Sequence, residues 1–410
     1  MLEKLSEISR SFLRTKNSPY RRSLLKHTIF SHRMSIITGQ RGVGKTTALI
    51  QLLLEKVEQD VLDTRVLYIQ ADHFVMGSSS LYEIAEHFCS LGGKWLAIDE
   101  IHKYPTWSKE LKSIYDTFPE LQLFVSGSSA LEIYKGTHDL IRRSVNYRMQ
   151  GLSFREYLEL QNQIELPITN IKNLCKNHER FVEEILLKFK TTGKKVLSEF
   201  YTYLRTGYYP YYFEILEKKA YYITLEQNLH ITVESDLAAI YPHLNATSIK
   251  KIKLLLTHLA SSVPFTPNWT RLAQTLEIGD VRTLKNYFQH LEDATLIRSF
   301  GNASQKLNHI DSSLKTYLDN PNFLFAISDK PPDKGTLRET FFMNALSYNH
   351  KITIPKSGDF LVDQEYLFEI GGKKKGFHQI KSHPNAFIAS DEIERGFKNK
   401  IPLWLFGFLY

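Results

Sequence analysis

The chain has 410 residues, 42% of them hydrophobic and 12% aromatic, which is too long for one ordinary domain and enough for two or three packed ones. Its 52 Lys and Arg outnumber 44 Asp and Glu, giving a formal charge of +8 and a pI near 9.1, which permits an anionic partner such as nucleic acid without demanding one. Two cysteines, Cys89 and Cys175, with no CxxC pair, argue against a structural zinc site or a disulfide framework. The opening MLEKLSEISRSFLRTKNSPYRR has no apolar core of signal-peptide length, and no run of about 18 apolar residues occurs. A reducing, cytoplasmic setting with no membrane partner is therefore expected.

In chain order, the residues to about Phe30 read as a mixed polar helix rich in Arg and Lys. MSIITG (34–39) is a short apolar run that reads as a buried strand ending in a Gly-rich turn, and TALIQLLLEKVEQ (47–59) follows with helical spacing. RVLYIQA (65–71), KWLAIDE (94–100) and LQLFVSGS (121–128) are further buried-strand candidates, separated by the helix-like SLYEIAEHFCSL and SKELKSIYDTF. Strands alternating with helices predict a parallel sheet, so 1–150 is expected to be an α/β P-loop domain. From Gly151 the pattern turns mostly helical, and from about Asn302 it returns to mixed strands and helices, ending in the apolar IPLWLFGFLY.

GQRGVGKT (39–46) fits G-x-x-x-x-G-K-[ST], with the strand before it and the helix after it that the motif requires. Gly39, Gly42 and Gly44 let the backbone turn tightly, so that the N–H groups of Gln40, Arg41, Val43 and their neighbours face phosphate oxygens. The positive end of the following helix, through Thr47, points the same way. Lys45 is expected to reach the β- and γ-phosphates of ATP, and Thr46 to offer its hydroxyl to Mg²⁺. In KWLAIDEIH (94–102), Asp99 and Glu100 end a buried strand: the first is the expected magnesium residue, usually through water, and the second the polariser of the attacking water. Ser126, where the third strand emerges, is read either as a γ-phosphate or water contact or as the cap of the next helix. Arg142 and Arg143 are read either as a source of positive charge for the transferred phosphoryl, in the same or a neighbouring subunit, or as a surface pair.

GQRGVGKTT, LAIDEIHKYPTWSKELKSIYD, LFVSGSSA and GLSFREYLEL resemble the AAA-type ATPases of the prokaryotic "ATPase with DUF4143" class (AAA_14), related to the archaeal-type ATPases within the STAND/AAA+ assembly. Pro105–Trp107 follows the acidic pair as it does in that family. The family's Gly-Arg element stands here as LIRRSVNYRMQGLSFREYL, with no Gly before the arginines, which leaves open whether Arg142 or Arg143 corresponds. YLRTGYYPYY (203–212) resembles the family's "yl..GGyP" element, with Tyr208 at the second Gly. The resemblance implies an ATPase core, a winged-helix connector and a C-terminal α/β domain of the PD-(D/E)xK nuclease type.

Three amphipathic segments between Asn245 and Ser299 agree with the winged-helix expectation on their own pattern: ATSIKKIKLLLTHLASS, NWTRLAQTLEIG and DVRTLKNYFQHLEDATLI, the last capped by Asp280. Arg282, Lys285, Asn286 and Gln289 suit phosphates and base edges, with Asp280, Glu292 and Asp293 tempering the face; the alternative is a module that only packs or meets protein. A PD-(D/E)xK site needs a helix Glu, a strand Asp and Glu-x-Lys; Glu339, Asp359 and Glu369 are the candidates, but Gly371 stands where the Lys belongs and Lys373 comes two places late. The expectation is a degenerate fold kept for binding, with Lys373, Lys374 and Lys375 facing an anion or solvent.

The expected organisation is thus 1–150 ATPase, 151–244 helical connector, 245–301 winged-helix-like module and 302–410 nuclease-like domain. The expected function is Mg-dependent ATP hydrolysis switching the C-terminal region, with DNA, a protein or a second copy as partner. The alternatives are a nucleotide-gated DNA-binding regulator with little turnover, and an ATP-dependent nuclease.

Overall fold

A computed structural model describes residues 1–77, 79–129, 140, 142–215, 217–301, 314–328, 331–381 and 383–410. The chain forms two compact units, one of Met1–Gly151 with Ile231–Asn245, the other of Leu152–His230 with Ala246–Tyr410. The 302 boundary and the helix expected after Ser129 lie outside the described residues.

The first unit runs α1 (Leu2–Thr15), α2 (Ser23–His27), β1 (Met34–Thr38), α3 (Lys45–Lys56), β2 (Val66–Gln70), α4 (Leu81–Ser90), β3 (Trp95–Asp99), α5 (Trp107–Thr117), β4 (Gln122–Gly127) and β5 (Val145–Arg148). Its sheet has the order β2-β3-β4-β1-β5, and every pairing is parallel. β1 is buried at every position and β2 to β4 at all but one, so they read as continuous apolar runs, as strands of a sheet covered on both faces do. Leu5, Ile84, Phe88, Leu111 and Ile114 of the helices share a core with Ile36, Ile69, Leu96 and Val125. The order places β1 between β4 and β5, so the loop leaving β1 opens at the carboxyl ends of the strands, where such sheets bind ligands.

The second unit contains α6 (Phe154–Asn162), α7 (Ile171–Phe189), α8 (Val196–Thr202) and α9 (Lys218–Ile231), whose last residue begins the 231–245 stretch of the first unit that carries α10 (Leu237–Ile240). Then come α11 (Ala246–Ala260), α12 (Trp269–Thr275), α13 (Val281–Asp293), β6 (Ile297–Phe300) and β7 (Lys315–Leu318). β6 and β7 pair antiparallel, and Trp269 meets Phe288 edge-on at 5.2 Å. Last are α14 (Pro321–Ile327), α15 (Lys334–Leu346), β8 (Ile352–Thr353), β9 (Phe360–Val362), β10 (Tyr366–Gly371), β11 (Ala386–Ser390) and β12 (Lys400–Pro402), with sheet order β12-β11-β10-β9-β8. Ser153 caps the start of α6, and Phe154 lies in one core with Phe341, Trp404 and Phe408. IPLWLFGFLY closes that core, which explains its apolarity. Among the described residues no helix is long and apolar enough to cross a membrane.

Candidate nucleotide site

The loop between β1 and α3 turns through positive φ at Gly42 (84°) and Gly44 (101°), a region that costs any residue with a Cβ. A Cβ on Gly39 would lie 2.3 Å from the Met149 carbonyl oxygen, so the backbone just past β5 leaves room only for glycine there. Arg22 clamps the loop from outside, donating to the carbonyls of Val43 (2.8 Å), Gln150 (2.9 Å) and Gly151 (2.8 Å). Val43 is buried, Gln40 nearly so, and Thr47 half-buried in the first turn of α3. Lys45 Nζ is curled onto the carbonyls of Gly39 and Gln40, 3.0 Å each, a cation held over the loop at the helix N-terminus.

β3 brings the acidic pair to the same place. Asp99 is buried, and its Oδ2 accepts from the Thr46 hydroxyl (2.6 Å) and the Tyr68 hydroxyl (2.7 Å). Burial, with Asp99 beside it, pushes the Tyr68 phenol far up, so Tyr68 stays a donor. Ser126 Oγ donates to Asp99 Oδ1 and accepts the Glu100 N–H at 3.1 Å. Ser126 is thus buried, and its hydroxyl ties the Asp99 carboxylate to the Glu100 backbone.

Glu100 adopts the left-handed conformation (φ 54°), sparsely populated for a residue with a Cβ and the kind of backbone strain that clusters at functional sites. The turn it makes leads into the single 3-10 turn Ile101–Lys103. Its Oε1 lies 3.9 Å from Lys45 Nζ, and its Oε2 lies 3.6 Å from Arg41 Nη2, 3.6 Å from His102 Nε2 and 3.9 Å from Lys103 Nζ. Arg41 and His102 also face Asp236, from the 231–245 stretch of the same unit. His102 stands two places after Glu100 and was within reach of sequence reasoning. Asp236 carried no local signal.

Arg143 is paired with Asp116 on α5 at 2.8 Å, and Arg142 is exposed.

A glycine-turned loop, a lysine over it, and a Thr–Asp pair side by side at the strand ends define a P-loop nucleotide-binding domain. The Thr46 and Asp99 oxygens, 2.6 Å apart, are the hard donors a magnesium ion takes, so the residues present fit that ion. Residues 31–158 match the AAA_14 family, an AAA domain, which agrees with the P-loop ATPase fold of this part of the chain. Residues 197–333 match a domain of unknown function (DUF8612), not the DUF4143 of the resemblance.

Similar solved structures include the Aeropyrum pernix Orc1 protein in complex with DNA, at 13% identity over 83% of this chain and 90% of that one, with a TM-score of 0.29. The C. elegans PCH-2 structure is 11% identical over 70% and 68%, with a TM-score of 0.23. A DNA polymerase III gamma subunit-related protein of Thermotoga maritima is 13% identical over 72% and 99%, with a TM-score of 0.24. At such scores these likenesses say nothing of partner or activity. No curated protein matches the sequence.

Proposed function

We propose that the chain is a magnesium-dependent ATPase whose nucleotide state governs a C-terminal region that binds nucleic acid. The observation that carries this reading is the grouping of Lys45, Thr46, Asp99 and Glu100 at the mouth of one P-loop. The loop N–H groups and Lys45 bind the phosphates. Magnesium, held by Thr46 and Asp99, would neutralise charge on the β- and γ-oxygens. Glu100 accepts a proton from the attacking water, and Ser126 ties the Asp99 carboxylate to the Glu100 backbone N–H. Arg142, exposed, remains the better placed of the two arginines to serve a neighbouring copy, because Arg143 is held by Asp116.

The nucleic-acid part rests on α11, α12 and α13 followed by the β6–β7 ribbon, the layout of a winged helix. Arg282 and Asn286 are exposed on α13, while Lys285 lies over the Trp269 ring and Gln289 donates to Asp293, so the free polar face is narrower than the sequence implied. Phosphate release should fall to background in Lys45→Ala. In Glu100→Gln it should fall about 100-fold or more while nucleotide is still bound. Duplex DNA should raise wild-type turnover. Turnover equal in wild type and Lys45→Ala sinks the ATPase reading, and tight DNA binding with negligible turnover favours the nucleotide-gated regulator.

A second reading, metal-dependent phosphodiester cleavage, is favoured by Lys375. A Cβ on Gly371 would lie 2.7 Å from Lys375 Cβ and Cγ, so the Lys375 side chain fills the space that a residue-371 side chain would take. Its Nζ reaches Glu369 Oε1 at 2.5 Å, while Lys373 and Lys374 are exposed. Lys375, not Lys373, is thus the lysine brought to Glu369. Glu369 is buried with Oε2 unpaired, and burial, with Glu339 and Glu369 adding to it, pushes Asp359 up to about 6. Asp359 and Glu369 are the residues that would hold the ion. Glu339 accepts from Lys315 and Tyr317 on β7. Magnesium-dependent nicking of plasmid DNA that disappears in Asp359→Ala and Lys375→Ala supports this reading. Nicking that persists in both variants, or none under any nucleotide, disposes of it.

A further inference from the structure

Asp236 lies outside the stretch that matches the AAA family, yet it reaches the residues around Glu100. It ends a π-helical turn, Thr232–Asp236, that continues α9 directly; such turns are rare and recur at functional positions. The Asp236 carboxylate is 5% exposed. It accepts from Arg41 Nη2 at 3.0 Å, and His102 Nε2 lies 3.4 Å away. For both basic groups the Glu100 carboxylate is the more distant partner, at 3.6 Å. Burial pushes the Asp236 carboxyl up, but the His102 and Arg41 interactions outweigh it and hold it below the usual carboxylate range.

Glu100, His102 and Asp236 have ligand atoms within 4.8 Å of one another, the spacing of a metal site. Two contacts speak against a cation there. The Arg41 guanidinium already lies there, hydrogen-bonded to Asp236 at 3.0 Å and 3.6 Å from Glu100. The Ser128 N–H points at His102 Nδ1 (3.3 Å), which leaves the proton of a neutral ring on Nε2, the atom that would have to ligate. The cluster is a competition between two carboxylates for one arginine and one histidine.

We propose that Asp236 is a positioning residue for ATP hydrolysis: by holding Arg41 and His102 it keeps the Glu100 carboxylate free to act on water. The inference rests on the ATPase reading above. Arg41 sits on the phosphate loop and Glu100 at the end of β3, and a guanidinium that loses its hydrogen-bonded carboxylate closes on the next one, here Glu100 at 3.6 Å. Without the charge at position 236, Arg41 takes Glu100, whose lone pairs are then engaged. The ATP site is therefore completed by a segment that leaves the second unit through α9 and returns to it at Ala246.

The test compares full-length wild type with Asp236→Asn, Asp236→Glu and Arg41→Ala/Asp236→Asn. In Asp236→Asn, kcat for phosphate release should fall at least about tenfold while KM for ATP stays within about threefold, because an interaction of the hydrolytic step is lost and nucleotide grip is not. Asp236→Glu, which keeps the charge, should stay within about threefold of wild type in kcat. A packing role predicts the reverse order, since Asn is isosteric with Asp and Glu is not. The double variant should be faster than Asp236→Asn alone, because the residue that captures Glu100 is gone. A crystal structure of nucleotide-free Asp236→Asn should place Glu100 at hydrogen-bonding distance from Arg41. Asp236→Asn turning over like wild type, losses that add in the double variant, or an unmoved Glu100 overturns the proposal and leaves the ATPase reading standing. Wild type no faster than Lys45→Ala removes both.

Discussion

Asp99 Oδ2 accepts hydroxyl hydrogens from Thr46 and Tyr68, and Oδ1 accepts from Ser126 and the Glu100 N–H, so four donors fix one carboxylate. The sequence named three of these residues from motif spacing. It had no means of naming Tyr68, an ordinary aromatic in an apolar strand. A second carboxylate behaves differently. Glu292, read as tempering the exposed face of α13, is half-buried, and burial, with Asp293 adding to it, pushes it up to about 7. The folded chain thus binds this proton more tightly than the unfolded chain. The stability this gives is complete below about pH 4.5 and is lost as pH rises through about 7. Glu292→Gln, neutral throughout, should be more stable than wild type at pH 8 by roughly 2 kcal/mol. That advantage should vanish at pH 4, as read by urea denaturation at both values.

Ser153 and Glu156 form a reciprocal cap at the start of α6: the Ser153 Oγ accepts the Glu156 N–H at 3.2 Å, and Glu156 Oε2 accepts the Ser153 N–H at 3.1 Å. Ser153 Oγ also donates to the Tyr410 carbonyl at 3.1 Å. Ser153→Ala should therefore lower stability by about 1–2 kcal/mol, measured as a shift of the urea midpoint without loss of Lys45-dependent nucleotide binding. The Ser-x-x-Glu pattern of this helix was legible in the sequence, but its burial was not. Phe154 is enclosed because Trp404 and Phe408, from the far end of the chain, pack against it edge-on. The turn after β10 makes the same point. Read along the chain, Gly371 is a missing lysine; in space, Lys400 donates to the carbonyls of Lys373 and Lys375 and holds a bend that returns Lys375 to Glu369.

Across the whole molecule, the expected 151–244, 245–301 and 302–410 segments fall into one compact unit except for 231–245, which belongs to the first. α9 reads as one uninterrupted helix across that boundary, so neither composition nor a linker signal marks it. The sequence by itself determined the P-loop domain: the loop, the order of its strands in the chain and the acidic pair depend on local spacing and on apolar runs that only a doubly covered parallel sheet can bury. Tertiary structure alone decided what surrounds Glu100 and Glu369. Asp236 and Lys375 reach them through a returning segment and a folded-back turn. A carboxylate's partners depend on distances in space, and a linear pattern encodes those only where the contact is local.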